Sequence, residues 1–188
     1  GGRGLLSQGP SMLVTHPAVP AKTIGELIDL ARKQPGKLSF ASAGIGNTSH
    51  LLAELLKREA GIDILVVPYK GNGPASNDLV AGHVQAMFTS PISALPSIAA
   101  GNLRAIAVTT ERRLSSLPEV PTFAEAGLPG IVVYSWSCLV APAGTPVDII
   151  AQLNAAVESA LHQPELQRKM AELDATVVGG PPEKLAAF

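Results

Sequence analysis

Strand-like and helix-like segments alternate along this 188-residue chain, and few folds accommodate that order. Ser11–His16 reads as a short strand closed by Pro17 and Pro20. Thr23 and Glu26 form a capping box that opens a helix running to about Gln34, where Pro35-Gly36 stops it. Lys37–Ser42 is the next strand. Thr48 to Ala60 carries Leu51, Leu52, Leu55 and Leu56 at the spacing of one helix face. The unbroken apolar run Ile64–Tyr69 predicts a strand covered on both faces. A helix starting at Pro74 and ending near Ala81, a strand Val84–Thr89, a helix Ile92–Ala100 and a strand Leu103–Thr109 continue the series. Such alternation predicts an α/β fold with a mainly parallel sheet.

The character changes from Glu111. Residues 111–134 contain Pro118, Pro121 and Pro129, with a short capped helix predicted at Thr122-x-x-Glu125. Val132–Val140 is strand-like. Thr145 is read as a cap, with Pro146 at the first position of a helix that reaches about Gln163. A helix from Pro164 to about Leu173 and a strand Thr176–Val178 follow. Pro181-Pro182-Glu183 opens a last helix that is cut off at Phe188. The chain also opens Gly1-Gly2-Arg3 without Met, which predicts either processing or a fragment, and an end within one turn of a helix predicts truncation there.

Composition narrows the function classes. With 46% hydrophobic and 15% charged residues there is ample material for a core. Fourteen basic and 15 acidic residues give a net charge of −1, with no Lys/Arg run, which argues against nucleic acid as a partner. No stretch approaches the roughly 20 apolar residues of a membrane span. Aromatics are only 4%, so stacking platforms are not expected. Cys138 is the single cysteine and is read as a buried small hydrophobe. Four histidines, His16, His50, His83 and His162, lie too far apart for zinc spacing, so no metal or other cofactor is expected. His50 is read as an interlobe or ligand-rim residue, and His83 and His162 as solvated helix ends.

Three strand-to-helix loops carry the candidate chemistry. In Ser42-Ala43-Gly44-Ile45-Gly46-Asn47-Thr48-Ser49, the unpaired N–H groups of a helix start attract anions. Gly44 and Gly46 permit close backbone approach, and the hydroxyls of Ser42, Thr48 and Ser49 add donors. The same residues also describe a helix cap on a flexible turn. Tyr69-Lys70-Gly71-Asn72-Gly73 offers a ring and a cation, or simply an exposed lysine in a turn. Thr89-Ser90 ends a third strand with two hydroxyls. Ligands gather at the C-terminal ends of strands in open α/β sheets, and all three loops are placed there.

Nucleotide and enzyme motifs fail. Gly44-x-Gly46 is followed by Ser49 where a dinucleotide fingerprint needs glycine, and no Gly-Lys-Ser/Thr phosphate loop exists. There is no Gly-x-Ser-x-Gly elbow. Ser49 and His50 are neighbours whose side chains diverge on a helix, so no catalytic dyad is built from them.

Seven tracts, in order, carry a resemblance. They are Pro17–Leu27, Gly36–Gly44 with Thr48-Ser49-His50-Leu51, Val67–Gly71, Ala94-Leu95-Pro96, Leu103–Thr109, Leu117–Thr122 and Ala141–Pro146. Together they resemble the Bug (Bordetella uptake gene) receptors, the TctC-like substrate-binding proteins of tripartite tricarboxylate transporters, over about residues 11–188. The resemblance implies a two-lobed, type II periplasmic-binding-protein architecture, with the second lobe complete and the first partial. On that pattern residues 1–13 end the first lobe, 14–137 form the second, and 138–188 return to the first. The chain would pass between lobes near Leu13–His16 and Val132–Val140.

What the resemblance implies is a monomeric, non-catalytic periplasmic receptor for a small organic acid or related solute, working with the membrane subunits of its transporter. Family carboxylates are held by backbone N–H groups, hydroxyls and waters, which matches the Ser42–Ser49 loop. The family often has Asp-Asn where Thr89-Ser90 stands and Ser where Asn47 stands, so the solute stays open. The rivals are an α/β enzyme acting at the same edge and the effector module of a transcriptional regulator. The sequence upstream would separate them.

Overall fold

Residues with alternating inward and outward side chains become strands, and those with a 3.6-residue apolar stripe become helices. A computed structural model describes residues 3–172 and 174–180. In chain order the elements are β1 (Arg3–Pro10), β2 (Met12–Thr15), α1 (Ile24–Lys33), β3 (Ser39–Ser42), α2 (Thr48–Ala60), β4 (Leu65–Pro68) and α3 (Asn72–Val80). They continue with β5 (Ala86–Thr89), α4 (Pro91–Ala99), β6 (Arg104–Val108), β7 (Tyr134–Val140), α5 (Val147–Leu161), α6 (Pro164–Glu172) and β8 (Thr176–Val177). Residues 10–133 form one compact unit, and the segments on either side form a second.

The 10–133 unit is built on a five-stranded sheet ordered β4-β3-β5-β2-β6. β3 pairs in parallel with β4 and with β5, while β2 runs antiparallel between β5 and β6. Alternation along each strand divides the core into two layers. Phe40 and Phe88 meet Leu27, Leu52 and Leu56 of α1 and α2 on one face. Ala41 and Met87 meet Ala75, Leu79 and Ala94 of α3 and α4 on the other. Covered on both faces, the inner strands β2 and β5 are buried along their whole length.

Turn and cap chemistry sets the boundaries. Thr23 Oγ1 accepts the Glu26 N–H at 3.2 Å, and Glu26 reaches back to the Lys22 N–H at 2.6 Å, so the helix start is closed from both directions. Asn47 caps α2 through its side chain, and Gly61 in the left-handed region ends it.

The second unit holds a three-stranded sheet ordered β7-β1-β8. β1 pairs antiparallel with β8 through Ser7–Val177 and Gln8–Thr176. Helices α5 and α6 belong to the same unit, and Glu158 on α5 accepts the Gly180 N–H at 2.6 Å.

Several expectations are corrected. The Ile64–Tyr69 run is an edge strand, with Leu65 55% exposed, because the strand order places β4 at the margin of the sheet. Leu51 is 59% exposed and Ser49 and Ala53 are buried, so the apolar face of α2 is rotated toward Leu52, Leu56 and Ala60. The Thr122–Glu125 capping box forms in both directions, at 3.0 and 3.1 Å, yet no helix follows. Instead Thr122 bridges Val108 and the chain turns. Pro146, not Thr145, is the cap of α5, and the Thr145 hydroxyl donates to the Pro142 carbonyl instead. Helix α3 starts at Asn72, two residues before Pro74, since a proline fits within a first turn whose N–H groups are unpaired anyway. β1 was not foreseen, Cys138 is half-buried, and the helix expected from Pro181 lies outside the described residues.

Phe88 lies between two other rings, with centroids 6.5 Å from Phe40 and 5.9 Å from Phe123. Phe88→Ala removes the middle of that stack and is expected to cost about 3–5 kcal/mol of folding stability. Denaturant unfolding checks this, through a lower midpoint at unchanged slope.

Candidate functional site

Parallel pairing of β3 with its two neighbours brings the following loops to one edge of the sheet. The Tyr69 N–H donates to the Ser42 carbonyl at 2.8 Å, and the Gly71 N–H to the Ala43 carbonyl at 3.1 Å. Gly44 has a φ of 141°, and a Cβ there would lie 3.5 Å from the Tyr69 carbonyl, so the first two loops are fastened side by side. The third loop follows β5, the neighbour of β3 on its other side. Three helix starts, those of α2, α3 and α4, are therefore gathered at this edge, each contributing partial positive charge.

At the α2 start the side chains are used to shape the loop. Asn47 Oδ1 accepts from the Ser49 N–H and from the Ser49 hydroxyl, both at 3.1 Å. Ser49 Oγ in turn accepts the Ala43 N–H at 2.9 Å. Sequence reasoning counted the Ser49 hydroxyl as a ligand donor and placed Asn47 among the site residues. The structure commits both to the loop, and what they leave is main chain. The N–H groups of Gly44, Ile45, Thr48 and His50 have no hydrogen-bond partner among the described residues. The Gly46 N–H is held loosely by His50 Nδ1 at 3.4 Å. None of the three loops, 42–50, 69–74 or 89–93, contains an Asp or Glu.

Two hydroxyls at this edge are orphaned. Ser42 Oγ at the end of β3 and Thr89 Oγ1 at the end of β5 are buried and have no hydrogen-bond partner among the described residues. A buried unpaired hydroxyl costs of order 1–3 kcal/mol, so two of them at one edge call for an explanation. Thr15 Oγ1, at the far end of β2, is the third such group. The Ser90 and Ser93 hydroxyls lie 2.9 Å apart in the first turn of α4.

Tyr69 plays a different part from the one its sequence position suggests. Its hydroxyl donates to Asp78 Oδ2 at 2.7 Å, and its ring packs against the core layer under α3. Lys70 is exposed beside it. Sequence reasoning missed Ser93, whose signal is a hydroxyl three residues after the Ser90 cap. It also missed Ile45, which is 82% exposed at the loop tip between two glycines.

The sequence profile of the family described as "Tripartite tricarboxylate transporter family receptor" matches residues 4–188. A Pseudomonas sp. (strain P51) protein from the tcbD-tcbE intergenic region is 44% identical over 178 residues, 94% of this chain and 53% of its own length. Among solved structures, R. palustris Rpa4515 with adipate superposes with a TM-score of 0.91 at 35% identity, covering 97% of this chain and 61% of that one. MatC (Rpa3494) of Rhodopseudomonas palustris with bound malate gives 0.86 at 37%, covering 93% and 59%. The chain thus spans about half the length of the curated relative and about three-fifths of these solved chains.

The Tyr69 hydrogen bond holds the Asp78 carboxyl below its ordinary range, helped by His83 Nδ1 at 3.3 Å, while the same bond pushes the Tyr69 phenol up. A carboxyl held low in the folded state adds stability above its unfolded value, and that stability is lost as pH falls through the folded one. Tyr69→Phe is expected to move the Asp78 titration back up and to shift the acid-side loss of stability to higher pH. An NMR titration of the Asp78 carboxyl carbon checks this.

Proposed function

Because this chain belongs to the tripartite tricarboxylate transporter receptor family, we propose that residues 10–133 form one lobe of a periplasmic solute receptor and hold the carboxylate of a small organic acid at the β3, β4 and β5 loop edge. The two orphaned hydroxyls, Ser42 Oγ and Thr89 Oγ1, carry this reading. A carboxylate oxygen is the acceptor both lack, and it would also meet the free N–H groups at the start of α2. Gly44, Gly46 and Thr48 supply the approach, with the free N–H groups of Gly44, Ile45, Thr48 and His50, and Ser90 and Lys70 line the rim. Tyr69 acts from behind, by tying β4 to α3. Relatives solved with adipate and with malate support an acid of a few carbons. The receptor works without catalysis or a cofactor, and its partners are the membrane subunits of a tripartite transporter.

Neutral donors and helix dipoles suit such a role, since the ligand has to be released as well as bound. Hydrogen bonds to a charge contribute about 1.5–3 kcal/mol each, so three or four reach roughly micromolar affinity if ordering costs are small.

Three variants test the reading. Thr89→Val and Ser42→Ala delete hydroxyls that have no protein partner, so each is expected to leave stability unchanged or raise it by about 1 kcal/mol. Each is expected to weaken malate or adipate binding by about tenfold. Thr48→Asp keeps a good first-turn residue but sets a negative charge beside the carboxylate, and should abolish binding while the fold survives. Amide NMR with malate and adipate reads all three, with shifts expected at Gly44, Gly46, Thr48 and Ser49. Unchanged binding in all three would remove this edge from the ligand site.

A further inference from the structure

At the other edge of the same sheet, where β3 and β5 begin and β2 ends, a cavity of about 370 Å³ opens within the 10–133 unit. Its apolar wall comes from Val19, Leu30, Leu38 and Val84, and its polar lining from His16, Gln34, Lys37 and Gln85. An apolar cavity of about 150 Å³ is enough for one benzene ring. The volume here therefore admits a ring together with a polar head.

The walls are set before any ligand arrives. Arg104 donates its guanidinium to three carbonyls of the loop after β2, those of Pro17 at 3.2 Å, Val19 at 3.2 Å and Ala21 at 3.1 Å. The His16 N–H donates to the Gln85 carbonyl at 3.0 Å. Gly82, with a φ of 80°, lies against the His16 ring, and a Cβ there would come within 3.4 Å of Nε2. Walls fixed in this way need little ordering on binding.

The free groups of His16, Gln85 and Lys37 here are donors. His16 Nδ1 accepts the Ala18 N–H at 3.1 Å, which puts the ring proton on Nε2. Gln85 Oε1 accepts both the Ser39 N–H at 2.9 Å and the Ser39 hydroxyl at 2.7 Å, so its amide nitrogen is left over. Lys37 has no ion pair and Gln34 no side-chain partner among the described residues. No Asp or Glu is among the lining residues. Surplus donors, a cation, an apolar wall and no competing carboxylate specify an anion with an apolar body.

We propose that this cavity is a second ligand site, on the opposite edge from the first, which takes a small monocarboxylate with a short apolar or aryl body. Lys37 Nζ and His16 Nε2 face its head, and Val19, Leu38 and Val84 face its body. The site differs from the loop edge described above, which offers helix starts, in placing a lysine and an imidazole beside an apolar wall.

Amide NMR of the 188-residue chain with benzoate, and with benzamide as its neutral counterpart, tests this. Benzoate is expected to shift the Lys37, Gly82 and Gln85 amides saturably in the millimolar range, and benzamide to bind about tenfold more weakly. Lys37→Gln should weaken benzoate by about tenfold. Gln34→Glu, an exposed and nearly isosteric change that places a carboxylate in the lining, should remove saturable binding there. Both variants should leave any malate shifts at Gly44–Ser49 untouched. The proposal is overturned if benzoate moves none of the three amides or only those of Gly44–Ser49. It is equally overturned if benzamide matches benzoate, or if both variants bind benzoate like the parent chain. Because the two edges report through different amides, failure here and failure of the loop-edge reading are distinguishable.

Discussion

The parallel pairing of β3 with both of its neighbours is the constraint on which the rest of the 10–133 unit depends. Phe40 stands beside Val66 on one strand and Ala86 on the other. Once three strands run the same way, each must be followed by a crossover, and each crossover here contains a helix that starts at the same edge. Three helix starts then share one end of the sheet, and three strand starts share the other. The two edges consequently differ in chemistry. One presents main-chain N–H groups and strand-end hydroxyls, and the other presents the loops that lead into the strands.

Placement of charge follows from that division. Arg104 could have served as an anion-binding residue, yet its fork is spent on three carbonyls of the Pro17–Ala21 loop. Arg113 is likewise occupied, holding Glu125 at 2.9 Å and the Pro118 carbonyl at 3.0 Å. Glu125 is kept below the ordinary carboxylate range first by the Thr122 N–H and then by Arg113. Apart from the exposed Lys70, the loop edge is left with partial charges from peptide groups, which attract an anion without the cost of desolvating a full cation.

Local signals account for the boundaries of the elements. Caps at Thr23 and Asn47, a left-handed glycine at Gly61 and prolines near helix starts are short-range features, and most elements lie within two residues of where those signals put them. Burial failed at particular positions for a non-local reason. Leu51 and Leu65 are as apolar as Leu52 and Leu38, yet they are exposed because of which side of α2 meets the sheet and which strand lies at its margin. At Thr122–Glu125 the capping signal predicts both the reciprocal hydrogen bonds, which form, and a helix, which does not. The bridge from Thr122 to Val108 holds the chain in a turn.

What the sequence determined by itself was the alternation, the family resemblance and the three loops rich in glycine and hydroxyls, all of which depend on residues close together in the chain. Tertiary structure alone decided which groups in those loops are free. Ser49 looks like a donor in sequence and Asn47 like a site residue, but six-residue closure of the loop onto Ala43 consumes both side chains and leaves the N–H groups of Gly44, Ile45, Thr48 and His50 instead. Tyr69 looks like a ligand ring, but Asp78, one helix further on, takes its hydroxyl. Ser42 and Thr89 offer hydroxyls in sequence, and only the packed layers reveal that both are buried without a partner among the described residues. A hydrogen bond is a property of two groups, and when the second comes from another part of the chain, only the folded arrangement says whether the first is satisfied.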